Sequence, residues 1–71
     1  MNKQQFDEIK NNLQAYKGKK VEFISYIPSA DRNTKTVGYI EGVGKDVTEE
    51  CVIIAERGLQ HAIHYTKVSV I

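Results

Sequence analysis

The hydrophobic pattern of this chain changes its period once, near residue 20, and that change constrains the fold class. From Phe6 to Tyr16, apolar side chains recur every three or four residues, which predicts one amphipathic helix over residues 2–16. Gly18 follows as a stop signal. Beyond it, apolar and polar residues alternate, and β-branched and aromatic residues become frequent, as is typical of strands. The chain is therefore expected to be mainly β with one N-terminal helix.

Five short strands are expected after the helix, over residues 20–27, 35–43, 51–56, 59–65 and 68–71. Pro28 ends the first strand, because proline has no backbone donor for a ladder. Residues 28–35 are expected to form a polar loop that joins the first two strands. Arg57 and Gly58 fit a tight hairpin turn between the third and fourth strands.

Three glycines crowd the second strand and its end. Gly38, Gly42 and Gly44 lie within seven residues, and glycine in a strand marks a bend, a bulge or a close backbone approach. Such a strand is strongly curved, as a small closed barrel requires. These glycines lack the order of a phosphate-binding loop, and no helical pattern follows them.

The length and the cysteine content narrow the class of protein. A chain of 71 residues makes a single domain, and Cys51, its one cysteine, excludes an intrachain disulfide. The sequence therefore favours a reducing, cytoplasmic setting, with Cys51 as a core residue. No apolar run approaches the ~20 residues of a membrane span. A domain this small, without disulfide or metal, often needs a second copy of itself, so a dimer or ring is expected.

The second half of the chain carries a family resemblance. The stretch Gly38–Glu41 looks like the glycine, aliphatic and acidic residues of the second Sm strand, and Cys51–Ile54 looks like the aliphatic third strand. Residues Ile63–Ile71 are similar to the end of the bacterial Hfq-type members. The chain thus resembles the Sm-like small β-barrels. YolD-like proteins of Gram-positive bacteria and their phages are a comparable match. Both imply a small, strongly bent, five-stranded antiparallel barrel of the Sm-like or SH3-like kind.

Catalytic and metal chemistry find little support in the sequence. His61 and His64 are three residues apart, so a strand would place them on opposite faces, where they cannot readily share a metal. Glu41, Glu49, Glu50 and Glu56 could bring two carboxylates together, but acid pairs in turns are usually solvated, and a fold this small has little room for a water-excluding pocket. We expect a protein without enzymatic activity, metal or cofactor.

Nucleic-acid binding has better support in the sequence. Because the net charge is only +1, a local patch would have to supply the positive charge for binding. Tyrosines on strands can stack on bases, and lysine and arginine can bind phosphates. The equally weighted alternative is that these tyrosines fill the core and the lysines favour a helix dipole. The candidate residues are Lys19, Lys20, Tyr26, Arg32, Lys35, Tyr39, Tyr65 and Lys67.

The favoured function is a regulatory module that binds RNA or a nucleotide as a homo-oligomer. The resemblance singles out Lys67, which lies where Hfq-type proteins have a basic turn. One alternative is a protein-interaction module, such as a phage-encoded inhibitor of a host or defence protein. Another is a sponge that holds a small signalling nucleotide between subunits.

Overall fold

Five antiparallel strands and an N-terminal helical segment make up the computed structural model, which describes residues 1–27, 29, 32–44 and 50–71. Of Tyr26 and Ile27 it describes the backbone alone. The mainly β class with one N-terminal helical segment is confirmed. The strands are β1 (Lys20–Ile27), β2 (Arg32–Val43), β3 (Cys51–Glu56), β4 (Leu59–His64) and β5 (Val68–Val70), with a 3-10 turn at Tyr65–Lys67.

The helical segment is broken rather than continuous. It consists of α1 (Lys3–Asn11) and the single turn α2 (Leu13–Tyr16), separated by Asn12 with φ −139° and ψ 50°. Asparagine has a lower helix propensity than most residues, and the Asn12 backbone N–H still donates to the Glu8 and Ile9 carbonyls. The Tyr16 hydroxyl donates to Glu8 Oε1 across the break at 2.7 Å, and this hydrogen bond raises the pKa of Tyr16. The single helix predicted over residues 2–16 is corrected accordingly.

The strand order is β4-β3-β2-β1-β5, and every neighbouring pair is antiparallel. Consecutive strands from β1 to β4 form a meander, and β5 returns to pair with β1. Among the described residues β4 and β5 occupy opposite edges, so the sheet is open. The strands thus confirm the five-stranded antiparallel part of the prediction.

The open sheet is nevertheless strongly curved. The side chains of Phe23 on β1 and His61 on β4 approach to 5.0 Å between ring centroids. These strands are three positions apart in the sheet, which in a flat sheet is about 14 Å. The sheet therefore curls into a trough, with a concave inner face and a convex outer face.

Gly38 permits this curvature by letting β3 approach β2 closely. A Cβ atom at this position would lie 2.6 Å from both the carbonyl oxygen of Ala55 and Cγ2 of Ile54. A register shift follows between Ile40 and Gly42, so the predicted bulge and close backbone approach are both present. Bulges increase strand bending and twist.

The helix fills the concave face. Phe6 and Ile9 of α1 have no exposed surface, and they share one buried cluster with side chains of β1, β2, β3 and β5, against which Ile63 of β4 packs. Leu13 packs against the edge of this cluster. Removal of this apolar surface from water is the main source of stability for such a domain. The remaining buried members of the cluster are Val21, Phe23, Ile40, Val52, Ile54 and Val68.

The β1–β2 hairpin extends beyond the rest of the sheet. Its ladder runs from Lys20↔Tyr39 to Ile27↔Arg32, whereas β5 covers only Val21–Phe23 of β1. Residues 32–35, predicted as loop, are therefore strand; residues 28, 30 and 31 of that loop lie outside the described residues. The pattern concealed this strand segment because none of Arg32–Lys35 is buried, so no apolar face marks it.

Replacing Gly38 by alanine should destabilise the protein by about 1–3 kcal/mol, since the new methyl group overlaps backbone and a buried side chain. Gly42→Ala is the matched control, because among the described residues no atom beyond its chain neighbours lies within 4 Å of its Cβ position. Urea unfolding followed by circular dichroism measures both. Equal stability of the two variants would show that the approach of β3 at Gly38 is not tight.

Candidate nucleic-acid interface

Three lysines from separate segments lie on or beside the outer face. Lys20 on β1 stands opposite Tyr39 on β2, and Lys35 on β2 stands opposite Ile24. Val21 and Phe23 on β1 point into the core. Alternation along the strand therefore directs Lys20 and Ile24, together with their partners on β2, toward the outer face. Lys67 joins them from the turn before β5. We call the following residues the outer-face patch: Lys20, Ile24, Lys35, Val37, Tyr39 and Lys67.

The apolar members of this patch are unusually exposed. Ile24 is 49% exposed, Val37 is 42% exposed and Tyr39 is 51% exposed. Tyr39 and Lys35 are four residues apart on one strand, roughly 13 Å, with Val37 between them. The outer face thus combines an aromatic ring and aliphatic side chains with positive charges, a mixture suited to bases and phosphates.

A groove of about 180 Å³ brings Lys35 and Lys67 together. Its remaining walls come from β1, the 3-10 turn and β5, and include Glu22 and Ile24. Lys35 Nζ lies 3.8 Å from Glu22 Oε1, with the lysine side chain 74% exposed. An exposed ion pair at this distance contributes little, so it leaves Lys35 available to another anion.

The position of Lys67 is set by local capping. His64 precedes the 3-10 turn, and its Nδ1 accepts from the backbone N–H of Thr66 at 3.3 Å. The same nitrogen lies 2.8 Å from Thr66 Oγ1. This capped turn presents Lys67 to solvent, so the predicted break at residues 66–67 is a short ordered helix.

Two further predicted residues lie at the ends of the β1–β2 hairpin. Lys19 is exposed, and its backbone carbonyl accepts from Ile40 N–H at 2.9 Å, which fixes the entry to β1. Arg32 is exposed at the start of β2. The side chain of Tyr26 lies outside the described part of the chain.

Tyr65 has a structural position. Its ring stacks on Phe6 at 4.9 Å and on His64 at 4.6 Å between centroids. Lys3 Nζ lies 5.6 Å from the Tyr65 ring and 5.3 Å from the Phe6 ring. This arrangement joins α1 to the 3-10 turn through the Tyr65 ring.

Sequence reasoning missed a second concave region, beside the hairpin. A cleft of about 510 Å³ lies between the strand segment Thr34–Val37 and the turn at Glu56 and Arg57, with Ser25 also lining it. Glu56 is the least exposed acid here, and its two carboxylate oxygens lie 3.3 Å from His61 Nε2 and Arg57 Nε respectively. Only the turn signal at Arg57 and Gly58 pointed to this region.

The described ranges contain neither a cluster of metal-ligating side chains nor a membrane-spanning helix. Histidine, cysteine and acidic side chains do not gather there in groups of three that could hold a metal ion. Cys51 is buried, as expected of a core residue. No helix among the described residues has the length and hydrophobicity to cross a bilayer.

Comparison with known proteins returned no relative: no family model, curated protein or solved structure matches this chain. The resemblance to Sm-like and YolD-like proteins therefore remains a prediction from the sequence pattern. A function is therefore inferred from the geometry of the outer face.

Proposed function

We propose that the protein is a non-enzymatic regulatory module that binds single-stranded RNA or a related nucleotide ligand on its outer face. The observation that supports this most is that Lys20 lies opposite exposed Tyr39 while Lys35 and Lys67 share a groove on the same outer face. These lysines come from three separate segments, and the ladder and a shared groove bring them to one surface.

Each part of the patch matches one part of such a ligand. Lysine ammonium groups bind phosphates and release their counterions, which makes binding sensitive to salt. An exposed tyrosine ring stacks on a base of any sequence, and this contribution depends little on salt. Ile24 and Val37 extend the apolar surface beside Tyr39, so the patch favours unpaired bases over a duplex backbone alone.

The proposal includes self-association into a dimer or ring. The outer strands β4 and β5 stand at opposite edges of the open sheet, and each offers backbone groups to a second chain. Ile71, just after β5, is 66% exposed, and Leu59 at the start of β4 is 60% exposed. Pairing of β4 with β5 of another copy would complete the sheet in the manner of a barrel and place several patches in one assembly.

Fluorescence anisotropy with short A-rich and U-rich RNAs tests the binding site. Affinity should fall as salt rises, with a slope of about −0.7 per phosphate contact. Lys35→Ala and Lys67→Ala should each weaken binding and make the slope shallower by about 0.7. Tyr39→Ala should weaken binding by about 1–3 kcal/mol with an unchanged slope, because stacking releases no counterions.

Lys10→Ala is the control, since Lys10 is exposed on α1 away from the patch. It should bind as the unmodified protein does. Failure of the unmodified protein to bind any of these RNAs at low salt would overturn the proposal. Equal binding by Lys35→Ala, Lys67→Ala and the control would place the interface elsewhere.

Light scattering coupled to size exclusion tests the assembly. At ~100 μM, where micromolar contacts are occupied, the mass should be at least twice the 8.1 kDa of one chain. Ile71→Lys should shift the mass toward the monomer, because a charge on an edge opposes strand pairing. Gln14→Lys adds the same charge on α2 and should leave the mass unchanged. A monomer at this concentration rejects self-association.

A further inference from the structure

One edge of β2 is open over more than half of the strand. β2 pairs with β1 along Arg32–Tyr39, but its other side meets β3 only from Tyr39 to Val43. No described strand covers that other side between Arg32 and Gly38. Such an edge presents a row of backbone donors and acceptors that an added strand can pair with.

The space beside this edge is already shaped for an added strand. The 510 Å³ cleft has the segment Thr34–Val37 as one wall and the turn residues Glu56 and Arg57 as the other. A paired strand lies about 4.8 Å from its neighbour, so a chain added to β2 would enter this cleft. Gly38 closes one end, where β3 comes into contact with β2.

The charges at the cleft favour an acidic occupant. Lys35 and Arg57 both line it, and their side chains are 74% and 91% exposed. Glu56 is the acid in its wall, and its oxygens already face His61 and Arg57. The ion pair of Arg57 joins its Nε to Glu56 Oε2 at 3.3 Å.

A second copy of β2 is a poor occupant of the same edge. Symmetric antiparallel pairing of Arg32–Gly38 with itself would centre on Lys35 and place two lysines directly opposite each other. Like charges in that position are destabilising, and lysine in the middle of an edge is a common protection against self-pairing. A strand with an acidic residue opposite Lys35 removes this obstacle.

The conformation of Arg57 adds a second indication. Its φ is +51° in a two-residue hairpin turn, followed by Gly58 at +78°. Asparagine or glycine is favoured at the first of these positions, and an arginine there is mildly strained. Strain of this kind concentrates at functional positions, and here it holds a guanidinium at the rim of the cleft.

We propose that an extended acidic peptide binds by adding an antiparallel strand to the edge of β2 between Arg32 and Val37. The peptide places an aliphatic residue opposite Val37 and, two positions later, an acidic residue opposite Lys35. Antiparallel pairing follows the rest of the sheet and sets this order of the two residues. Arg57 binds the peptide from the far side of the cleft.

The probe is a fluorescein-labelled, threonine-rich peptide of seven residues that carries one valine and, two positions later, one glutamate. It should bind saturably with a Kd below about 1 mM. Two copies of this peptide separate strand pairing from simple charge attraction. Both are N-methylated on alternate backbone amides, and the methylated positions of one copy are shifted by one residue relative to the other. Because alternate amides face β2, one copy should lose binding and the other should keep it.

Charge reversal tests the register. Lys35→Glu should weaken binding of the glutamate peptide about tenfold and strengthen binding of a peptide that carries lysine in place of the glutamate. Lys10→Glu, the same change on α1, should alter neither. Amide resonances of Arg32–Gly38 should shift in ¹⁵N spectra, and their exchange with solvent should slow, when the peptide is added.

Several results would overturn the proposal: no saturable binding, equal binding of both methylated copies, or equal effects of Lys35→Glu and Lys10→Glu. Single-stranded RNA added in a separate titration should shift resonances around Lys20, Lys35 and Lys67 and leave the amide exchange of Arg32–Gly38 unchanged. Slower amide exchange of Arg32–Gly38 with RNA, together with no effect of the peptide, would assign the edge to nucleic acid. Peptide binding thus succeeds or fails independently of the function proposed for the outer face.

Discussion

The close approach of β3 to β2 at Gly38 is the constraint on which the rest of the structure depends. Any Cβ there would meet the Ala55 carbonyl and Ile54 at 2.6 Å. The approach and the register shift beyond Ile40 bend β2, which carries β4 round until His61 reaches Phe23. Without this curl there would be no trough, and Phe6 and Ile9 of α1 would have nowhere to be buried.

The curvature of the sheet also gives its two faces different roles. The inner face is filled by the helix, and its centre is entirely apolar among the described residues. The outer face and the free edge of β2 are left for partners, and Lys35 belongs to both regions. Ligands at these two places therefore meet at one side chain, even though they contact different surfaces of the sheet.

The sequence was informative wherever burial repeats with a fixed period. The alternation in β1, the apolar run of β3 and the stripe from Phe6 to Ile9 gave the correct elements, because each buries one regular face. It misjudged residues 32–35, none of which is buried, and the break at Asn12, where the backbone leaves the helical region.

The candidate site was predictable only in part. Lysine and tyrosine could be chosen from the sequence as candidate residue types. Whether they lie near one another depends on strand register, as in the pairs Lys20↔Tyr39 and Ile24↔Lys35, and composition does not reveal register. Tyr65 illustrates the limit, because its pattern position resembles that of Tyr39 while its ring is held by Phe6 and His64. The cleft at Arg57 arises from two segments that are distant in sequence.

The return of β5 to β1 has a consequence for how the chain reaches this structure. Strands β1 to β4 pair with sequence neighbours, whereas Val70 must find Val21 across most of the chain, which adds loop-closure entropy. The meander can therefore form first, leaving the apolar edge Val21–Phe23 of β1 uncovered for a time. During that interval the β5 segment of another chain competes for the same edge, so folding at high concentration favours exchange of β5 between molecules.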